Sequence, residues 1–149
     1  MSDERFVIRV YAVIVNEKKE VLLSDEYMMD TLMTKFPGGG LEYGEGTVDC
    51  LKREALEEFG QPIEIISHFY TTDFFQPSKF HENAQLICIY YLARFTESIR
   101  FKISDKPYDF PELKNGSQTF RWRPVKGMFF NELTYPIDKK ALEKLKDTL

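Results

Sequence analysis

Several features are absent or scarce in this sequence, and each argues against a class of protein. No apolar run reaches the roughly 20 residues that a membrane-spanning helix requires. The charged start MSDERF lacks the apolar stretch of a secretory signal. Histidine occurs only at His68 and His81, which gives little support for a histidine-based metal centre. The net charge of −4 does not favour nucleic acid as the main partner. With neither a membrane span nor a secretory signal in the sequence, we expect a cytoplasmic protein that does not act at a membrane.

Cysteine is also scarce, and its two positions indicate core residues. Cys50 and Cys88 each lie in an apolar stretch that is typical of a small buried side chain. Since disulfides are rare in the cytoplasm, we expect both thiols to be free. The 149 residues, of which 43% are hydrophobic, are enough for one globular domain and too few for two comfortable ones. The sequence therefore predicts a single domain over residues 1–149.

The pattern of apolar residues predicts a mixed α/β fold. Runs of β-branched and aromatic residues indicate strands, at Phe6–Asn16, Val21–Ser24, Ile63–Phe75, Asn83–Phe95 and Thr119–Val125. Helical periodicity indicates two helices, Thr47–Phe59 and Asp138–Lys146. The methionine-rich segment 27–35 is ambiguous, and its length suggests a loop with an adaptable apolar surface.

The helix at residues 47–59 has clear signals at both ends. Thr47 is the predicted N-cap, because its hydroxyl can accept a hydrogen bond from the first turn. Gly60 tolerates the left-handed conformation that ends many helices, and Pro62 prevents any continuation. These signals predict a helix of about three and a half turns directly after a glycine-rich loop.

This helix carries three carboxylates that face the same way. Glu54, Glu57 and Glu58 project onto one stripe beside the buried face, where like charges repel each other. A hard divalent cation held by these oxygens, with a carbonyl from the loop Gly38–Gly40, would remove the repulsion. The alternative is a solvated acidic face that follows an ordinary turn.

One spacing joins the glycines to the glutamates, and it resembles the Nudix box, the signature of the Nudix hydrolase family. The residues that match its fixed positions are Gly39, Glu45, Arg53, Glu54, Glu57, Glu58 and Gly60. One position departs from the pattern, because Gln61 stands where an apolar residue is usual. The segments FPGGGLE before the box and FRWRPV before the terminal helix look like the family's flanking elements.

The resemblance implies a fold, a reaction and a cofactor. The fold is a Nudix-type α/β/α sandwich, with a mixed β-sheet between helices. Members of the family hydrolyse the pyrophosphate linkage of a nucleoside diphosphate derivative with Mg²⁺ or Mn²⁺. By this resemblance, the expected metal ligands are the carbonyl of Gly38 and the carboxylates of Glu54, Glu57 and Glu58.

The other box residues receive supporting roles from the same resemblance. Arg53 is expected to orient the glutamates, and Glu45 to brace the loop against it. A plain pair between Arg53 and Asp49 or Glu57 is the alternative. Three glycines, Gly39, Gly40 and Gly60, are expected to support the loop and the helix end.

The general base and the phosphate contact are open at the level of sequence. In this family the base is a box glutamate, here Glu54 or Glu57, or a carboxylate outside the box, for which Glu112 is the best candidate. Family members often carry a phosphate-binding arginine after the second strand, where this chain has Ser24-Asp25-Glu26. The phosphate contact therefore falls to Lys35 or Arg9.

The substrate is expected to be a small nucleotide derivative. Tyr70, Phe74 and Phe75 could stack on a nucleobase or could belong to the core. Pro77 follows Gln61 by 16 residues, and a proline near there marks the ADP-ribose branch of the family. ADP-ribose-like and nucleotide-sugar substrates thus rank ahead of nucleoside triphosphates.

Two further questions stay open in the sequence. The chain could act as a monomer or as a homodimer. A rival to the enzyme is a noncatalytic Nudix-like module that binds a nucleotide, although such modules typically have eroded boxes, and this box keeps all its charged residues.

Overall fold

The structure is a computed structural model that describes residues 3–149. Its strands are β1 (Arg5–Ile14), β2 (Glu20–Met28), β3 (Thr31–Lys35), β4 (Gly38–Gly40), β5 (Ile63–Thr71), β6 (Ala84–Phe95) and β7 (Ser117–Pro124). Its helices are α1 (Thr47–Phe59) and α2 (Pro136–Thr148), with a 3₁₀ turn at Phe130–Glu132. The predicted α/β class is confirmed, and the helices and long strands lie where the sequence indicated them.

The chain forms two compact units. The first combines the chain up to Ala12 with Gly38–Ser98, and contains a sheet of strand order β4-β1-β6-β5 together with α1. The second combines Val13–Pro37 with Ile99–Leu149, and contains a sheet of order β3-β2-β7 together with α2. The prediction of a single domain over residues 1–149 stays a prediction.

The core of the first unit lies under the apolar face of α1. This face buries Leu51, Ala55 and Phe59, and the ring of Phe59 meets Phe95 on β6 edge-on at 5.1 Å between centroids. Edge-to-face aromatic pairs of this kind add to the burial of apolar area. Cys50 and Cys88 are both buried and neither forms a disulfide, as the sequence predicted.

The two ends of α1 differ in how well the sequence predicted them. The helix begins at Thr47 after Gly46, and no side chain caps it, so the N-cap role of Thr47 is wrong. The Thr47 hydroxyl lies instead 2.6 Å from the hydroxyl of Tyr91 on β6, a partner distant in sequence. At the other end, Gly60 adopts φ 68° and donates its N–H to Leu56 at 3.0 Å, as expected.

Gln61 stands where an apolar residue is usual, and its buried amide group donates a hydrogen bond to the backbone. Its side chain is 1% exposed, and its Nε2 donates to the carbonyl of Ser98 at 3.2 Å. A buried polar group is tolerated when it is hydrogen-bonded in this way.

In the second unit, the ambiguous segment 27–35 is a hairpin rather than a loop. β2 pairs with β3 in antiparallel register around Met29 and Asp30, whose φ angles are 50° and 59°. Two consecutive residues with positive φ are typical of the tight turn that matches the twist of a hairpin. The phenol of Tyr27 donates to Asp30 at 2.9 Å and ties the turn to its strand.

The last helix begins earlier than predicted, at Pro136, because proline at the first helical position has the correct φ and needs no hydrogen-bond partner. Its buried face consists of Ile137, Ala141, Leu142 and Leu145 with Asp138. Within residues 96–117, a single bridge between Ile103 and Phe120 replaces the short strand that the sequence suggested. No helix in the described part of the chain is long and apolar enough to cross a membrane.

Candidate active site

The glycine strand β4 forms the edge of the first sheet, and its backbone is closely approached from two directions. Tyr11 on β1 lies opposite Gly38, and Arg9 lies opposite Gly40. Gly38 has φ 149°, and a Cβ there would overlap the carbonyl of Val10 and lie 2.8 Å from the Tyr11 ring. A side chain is therefore excluded at residue 38 by both conformation and space.

The central glycine of the strand touches the acidic helix. A Cβ at Gly39 would overlap the carboxylate of Glu54, with Oε1 as the nearest atom. The carboxylate of Glu54 thus packs directly on the backbone of β4, and its side chain is only 15% exposed. Because Gly39 has no side chain, the carboxylate oxygens of Glu54 can lie directly against the backbone of β4.

The three glutamates of α1 differ in burial. Glu54 is nearly buried, the side chain of Glu57 is 58% exposed, and Glu58 is intermediate with its Oε2 buried. Burial raises the pKa of Glu54, and the neighbouring Glu57 adds to this rise, while Arg53 opposes it. The charge on Glu54 is therefore held at an energetic cost that a nearby cation would offset.

Arg53 connects the helix to the loop. Its Nε donates to Glu45 at 3.0 Å and its Nη2 to the other oxygen of Glu45 at 2.7 Å, which makes the pair bidentate. The same Nη2 donates to the carbonyl of Gly40 at 3.1 Å. The Arg53 guanidinium holds the pKa of Glu45 at about 2, well below its ordinary value.

Arg53 also contacts two of the candidate metal ligands. Its Nη1 lies 3.2 Å from Glu54 and 3.2 Å from Glu57, the second being a pair between residues four apart on the helix. The i,i+4 pair that formed the simpler alternative is therefore present, together with the contacts to Glu45 and Gly40. The guanidinium thus bridges the loop and the acidic stripe.

The glutamates of α1 have the chemistry that a divalent cation requires, but their carboxylates do not converge on one point in this structure. Within residues 3–149, no three His, Cys, Asp or Glu side chains converge as a ready-made metal site. Glu54 and Glu57 turn towards Arg53 instead. Carboxylates beside backbone carbonyls are the ligands that Mg²⁺ and similar hard cations prefer. Joint binding by the glutamates would require Glu57 to leave Arg53.

The aromatic candidates for the substrate lie at the end of β5 and in the loop after it. The hydroxyl of Tyr70 donates to Asp73 at 2.9 Å, and burial together with this contact raises the pKa of Tyr70 to about 12. Phe74 is half-buried, and Phe75 is 68% exposed. The strand ends at Thr71, so the predicted extension to Phe75 is wrong, and both phenylalanines lie in the loop.

Two candidates, Lys35 and Glu112, belong to the second unit. The side chain of Lys35 is 5% exposed, and its ammonium lies 3.1 Å from Glu26. Glu112 is 71% exposed, and its nearest ionic contact is Lys114 at 3.7 Å. The ammonium of Lys35 therefore has a carboxylate partner already, and the role of Glu112 as a base stays a prediction.

The second unit also holds a buried ion pair that the sequence did not indicate. Arg121 Nε donates to Asp25 at 2.7 Å, where the Asp25 side chain is fully buried and Arg121 is 10% exposed. The hydroxyl of Thr34 and the backbone N–H of Tyr108 donate to the same carboxylate at 2.7 and 3.2 Å. Each of the two strands carries more than one charged residue, so no local pattern in the sequence singles out Asp25 and Arg121.

A family model described as NUDIX domain matches residues 5–145, and the chain therefore belongs to the Nudix family. This match confirms the predicted family.

Known proteins and solved structures agree with that membership. The chain is 37% identical over 67 residues to an RNA pyrophosphohydrolase of Ruthia magnifica subsp. Calyptogena magnifica. That match covers 45% of this chain and 36% of the relative, so the chain matches about a third of that protein's length.

The fold is similar to that of solved Nudix structures at low sequence identity. A NUDIX hydrolase from Nitrosomonas europaea superposes with a TM-score of 0.70 at 19% identity, over 95% of this chain and 89% of the other. An ADP-ribose pyrophosphatase from Streptococcus suis superposes with a TM-score of 0.61 at 14% identity, over 95% and 90%. These structures confirm the predicted Nudix fold.

Proposed function

We propose that the protein is a Mg²⁺- or Mn²⁺-dependent hydrolase that cleaves the pyrophosphate linkage of a nucleoside diphosphate derivative in the cytoplasm. The observation that carries the proposal is the packing of the Glu54 carboxylate on Gly39, beside an arginine that Glu45 fixes to the same loop. A solvated acidic helix would need neither the glycine nor the bidentate pair. In this proposal, the contact with Gly39 brings the Glu54 carboxylate against the loop, and the pair with Glu45 holds Arg53 beside it.

The proposed metal ligands are Glu54, Glu57 and Glu58, with the carbonyl of Gly38. When bound, the divalent cation supplies charge neutralisation at the phosphate oxygens and a water of lowered pKa. Arg53 keeps Glu54 against the loop and releases Glu57, whose side chain is exposed enough to turn. Glu45 holds the arginine through two hydrogen bonds during this change.

The proton of the attacking water is accepted by a carboxylate in this proposal. Glu54 and Glu57 are the candidates within the acidic stripe, and Glu112 is the candidate outside it. A carboxylate is a suitable base only while it is ionised; burial raises the pKa of Glu54, and the guanidinium of Arg53 opposes this rise in part. Replacement of each carboxylate by glutamine, followed by a pH–rate profile, identifies the base.

The proposed substrates are ADP-ribose-like compounds and nucleotide sugars, followed by nucleoside triphosphates. Phe75 is exposed enough to stack on a base, and Phe74 and Tyr70 lie close to it in sequence. The similar structure from Streptococcus suis, an ADP-ribose pyrophosphatase, supports this ranking. The partial match to an RNA pyrophosphohydrolase adds RNA to the substrates to be tested.

A substrate screen with matched variants tests the proposal. Each candidate compound is incubated with Mg²⁺ or Mn²⁺, and released phosphate is measured after treatment with a phosphatase. We expect turnover of at least one nucleoside diphosphate derivative, and a sharp loss of it in Glu58→Gln with the fold intact. Glu143→Gln, which changes an exposed glutamate on α2, is the control and should keep full activity.

The rival function is a noncatalytic module that binds a nucleotide. The complete set of box charges and their contacts favour the enzyme, because binding alone does not require an acidic stripe. Absence of turnover on every compound, together with binding of one of them, would support the module instead. Full activity of Glu58→Gln would overturn the metal assignment.

A further inference from the structure

The second unit contains a cavity of about 340 Å³ along the free edge of β7. All of its lining residues belong to that unit, and the glutamates of α1 and the glycines of β4 are not among them. Small-molecule sites typically have volumes of roughly 300–1,000 Å³. The lining residues on which the inference depends are Phe101, Phe110 and Phe120, with Lys102, Asp109 and Thr119.

The wall of the cavity is fixed by hydrogen bonds. The backbone N–H of Ser104 donates to the carbonyl of Phe120 at 2.7 Å, which joins the segment before Asp109 to the edge of β7. The hydroxyl of Ser104 donates to the carboxylate of Asp109 at 2.6 Å and closes the segment on itself. Since these contacts exist without a ligand, little ordering is needed on binding.

Aromatic rings form one side of the cavity. Phe120 is 6% exposed, and Phe101 meets it edge-on at 5.3 Å between ring centres. Phe101 and Phe110 are half-buried, so part of each side chain stays accessible. Because a nucleobase stacks on aromatic side chains, accessible rings in a preformed cavity favour a flat aromatic ligand.

One polar group in the wall has no hydrogen-bond partner in the protein. Thr119 is 7% exposed, and its hydroxyl makes no hydrogen bond within residues 3–149. Asp25, directly opposite on β2, accepts hydrogen bonds from other groups, among them Arg121 and Thr34. Buried polar groups normally have a partner. A ligand in the cavity would supply one, because a hydroxyl can both donate and accept.

The charges beside the cavity favour an anion. The ammoniums of Lys102 and Lys106 lie 3.6 and 3.8 Å from the two carboxylate oxygens of Asp109. Both lysine side chains are largely exposed and can turn towards a ligand. Residues 100–110 include three cationic and two acidic side chains, so one positive charge is in excess. An ammonium is an effective point charge for binding phosphate.

We propose that this cavity binds a nucleoside monophosphate. The base lies against Phe101 and Phe110, the hydroxyl of Thr119 hydrogen-bonds to it, and Lys102 contacts the phosphate. The accessible rings, the unpartnered hydroxyl and the excess positive charge together match an aromatic base that carries one anionic group. The inference goes beyond the proposed function, because it uses neither a metal ligand nor the hydrolytic step.

The test measures the dissociation constants of AMP, GMP, CMP and UMP by calorimetry, in the presence of EDTA. We expect at least one of them to bind the unmodified chain. Lys102→Ala should raise its dissociation constant by about three- to tenfold, and Thr119→Val by about two- to tenfold. Phe110→Leu keeps an apolar side chain but removes the ring, and should raise it by about fivefold or more. The Lys102 side chain is 71% exposed, so its removal should leave the packing of the cavity intact.

Two control variants define the site. Lys140→Ala removes an exposed lysine that pairs with Glu143 on α2, much as Lys102 pairs with Asp109, and should bind as the unmodified chain does. Glu58→Gln should also keep the affinity, because the cavity does not include the acidic stripe. The corresponding nucleoside, which lacks the phosphate, should bind more weakly than the monophosphate.

Several outcomes would overturn the inference. These are failure of all four monophosphates to bind, unchanged affinity in both Lys102→Ala and Thr119→Val, and a nucleoside that binds as tightly as its monophosphate. An equal loss in Lys140→Ala would show a general charge effect, and an equal loss in Glu58→Gln would place the ligand at the acidic helix. Turnover in the substrate screen enters none of these measurements, so the proposed function stands or falls separately.

Discussion

The carboxylate of Glu54 occupies the space in which a side chain at Gly39 would begin. This contact joins the acidic helix to the glycine strand. A glycine is required at residue 39 because a side chain would overlap Glu54, although the backbone there has no unusual angle. At residue 38 a glycine is required both by lack of space and by the φ of 149°.

Replacement of Gly39 by alanine should therefore disable the enzyme through one methyl group. The methyl group displaces Glu54, and a shift of about 1 Å in a catalytic group can cost on the order of 100-fold in rate. We expect kcat/KM to fall by about this factor in Gly39→Ala, measured on a substrate from the screen. Gly127→Ala is the matched control, since its Cβ would meet nothing closer than 3.8 Å. Equal losses in both variants would contradict the contact-based explanation.

Arg53→Lys should reduce activity although it preserves the charge. The lysine ammonium cannot bond both oxygens of Glu45 and the Gly40 carbonyl from the planar positions that the guanidinium uses. Residues that orient metal ligands typically affect activity by about 10- to 100-fold, and we expect kcat/KM to fall within this range. Arg94→Lys, on an exposed pair with Glu64, should be neutral. An unchanged rate in Arg53→Lys would mean that charge alone suffices.

The ion pair between Arg123 and Glu132 should give stability that depends on pH. Nε and Nη2 of Arg123 donate to the carboxylate, at 2.8 and 3.0 Å, and they lower the pKa of Glu132 from its ordinary value of 4.5. A lowered folded-state pKa stabilises the protein above pH 4.5, and this contribution disappears as the pH falls through the lowered value. Glu132→Gln should therefore be less stable by about 1 kcal/mol at neutral pH.

Thermal midpoints between pH 3 and pH 7 check this prediction. The difference between Glu132→Gln and the unmodified chain should be constant above about pH 5 and should shrink towards acid pH. Glu143→Gln, in an exposed pair with Lys140, should show a small difference throughout. A difference that grows towards acid pH would have the wrong sign and would refute the linkage.

Removal of one partner of the buried pair between Asp25 and Arg121 should strongly destabilise the second unit. Asp25→Ala leaves a nearly buried guanidinium and removes the acceptor for Thr34 and Tyr108. We expect the free energy of unfolding to fall by about 3–5 kcal/mol, measured by urea denaturation. Glu64→Ala, which breaks the exposed pair with Arg94, should cost less than about 1 kcal/mol. Similar losses in the two variants would show that burial does not set the cost.

The sequence predicted those parts of the site that depend on local spacing. Arg53, Glu54 and Glu57 lie on one helix, so their neighbourhood follows from helical geometry, and Gly60 ends the helix as its conformational freedom suggests. The contact between Glu45 and Arg53 follows from the box spacing that the family shares. These features could be predicted without knowing how distant strands pair.

The features that the sequence missed depend on contacts between distant residues or on unusual turn residues. Thr47 fails as a cap because Tyr91, on another strand, takes its hydroxyl. The hairpin at Met29 and Asp30 lacks the glycine or asparagine that usually marks such a turn. The position of Arg9 over Gly40 follows from the register of β1 against β4, which no local pattern specifies.

The burial of Cys50 has a practical consequence for experiments on this chain. Its thiol donates to the carbonyl of Gly40 at 3.5 Å, and burial raises its pKa to about 12. The thiolate is the form that attacks an alkylating reagent, so the native chain should resist labelling at Cys50, and buried Cys88 should be shielded from the reagent. Unfolding exposes both thiols at once, and the rate of alkylation in dilute denaturant then reports how often the core opens, without any introduced probe.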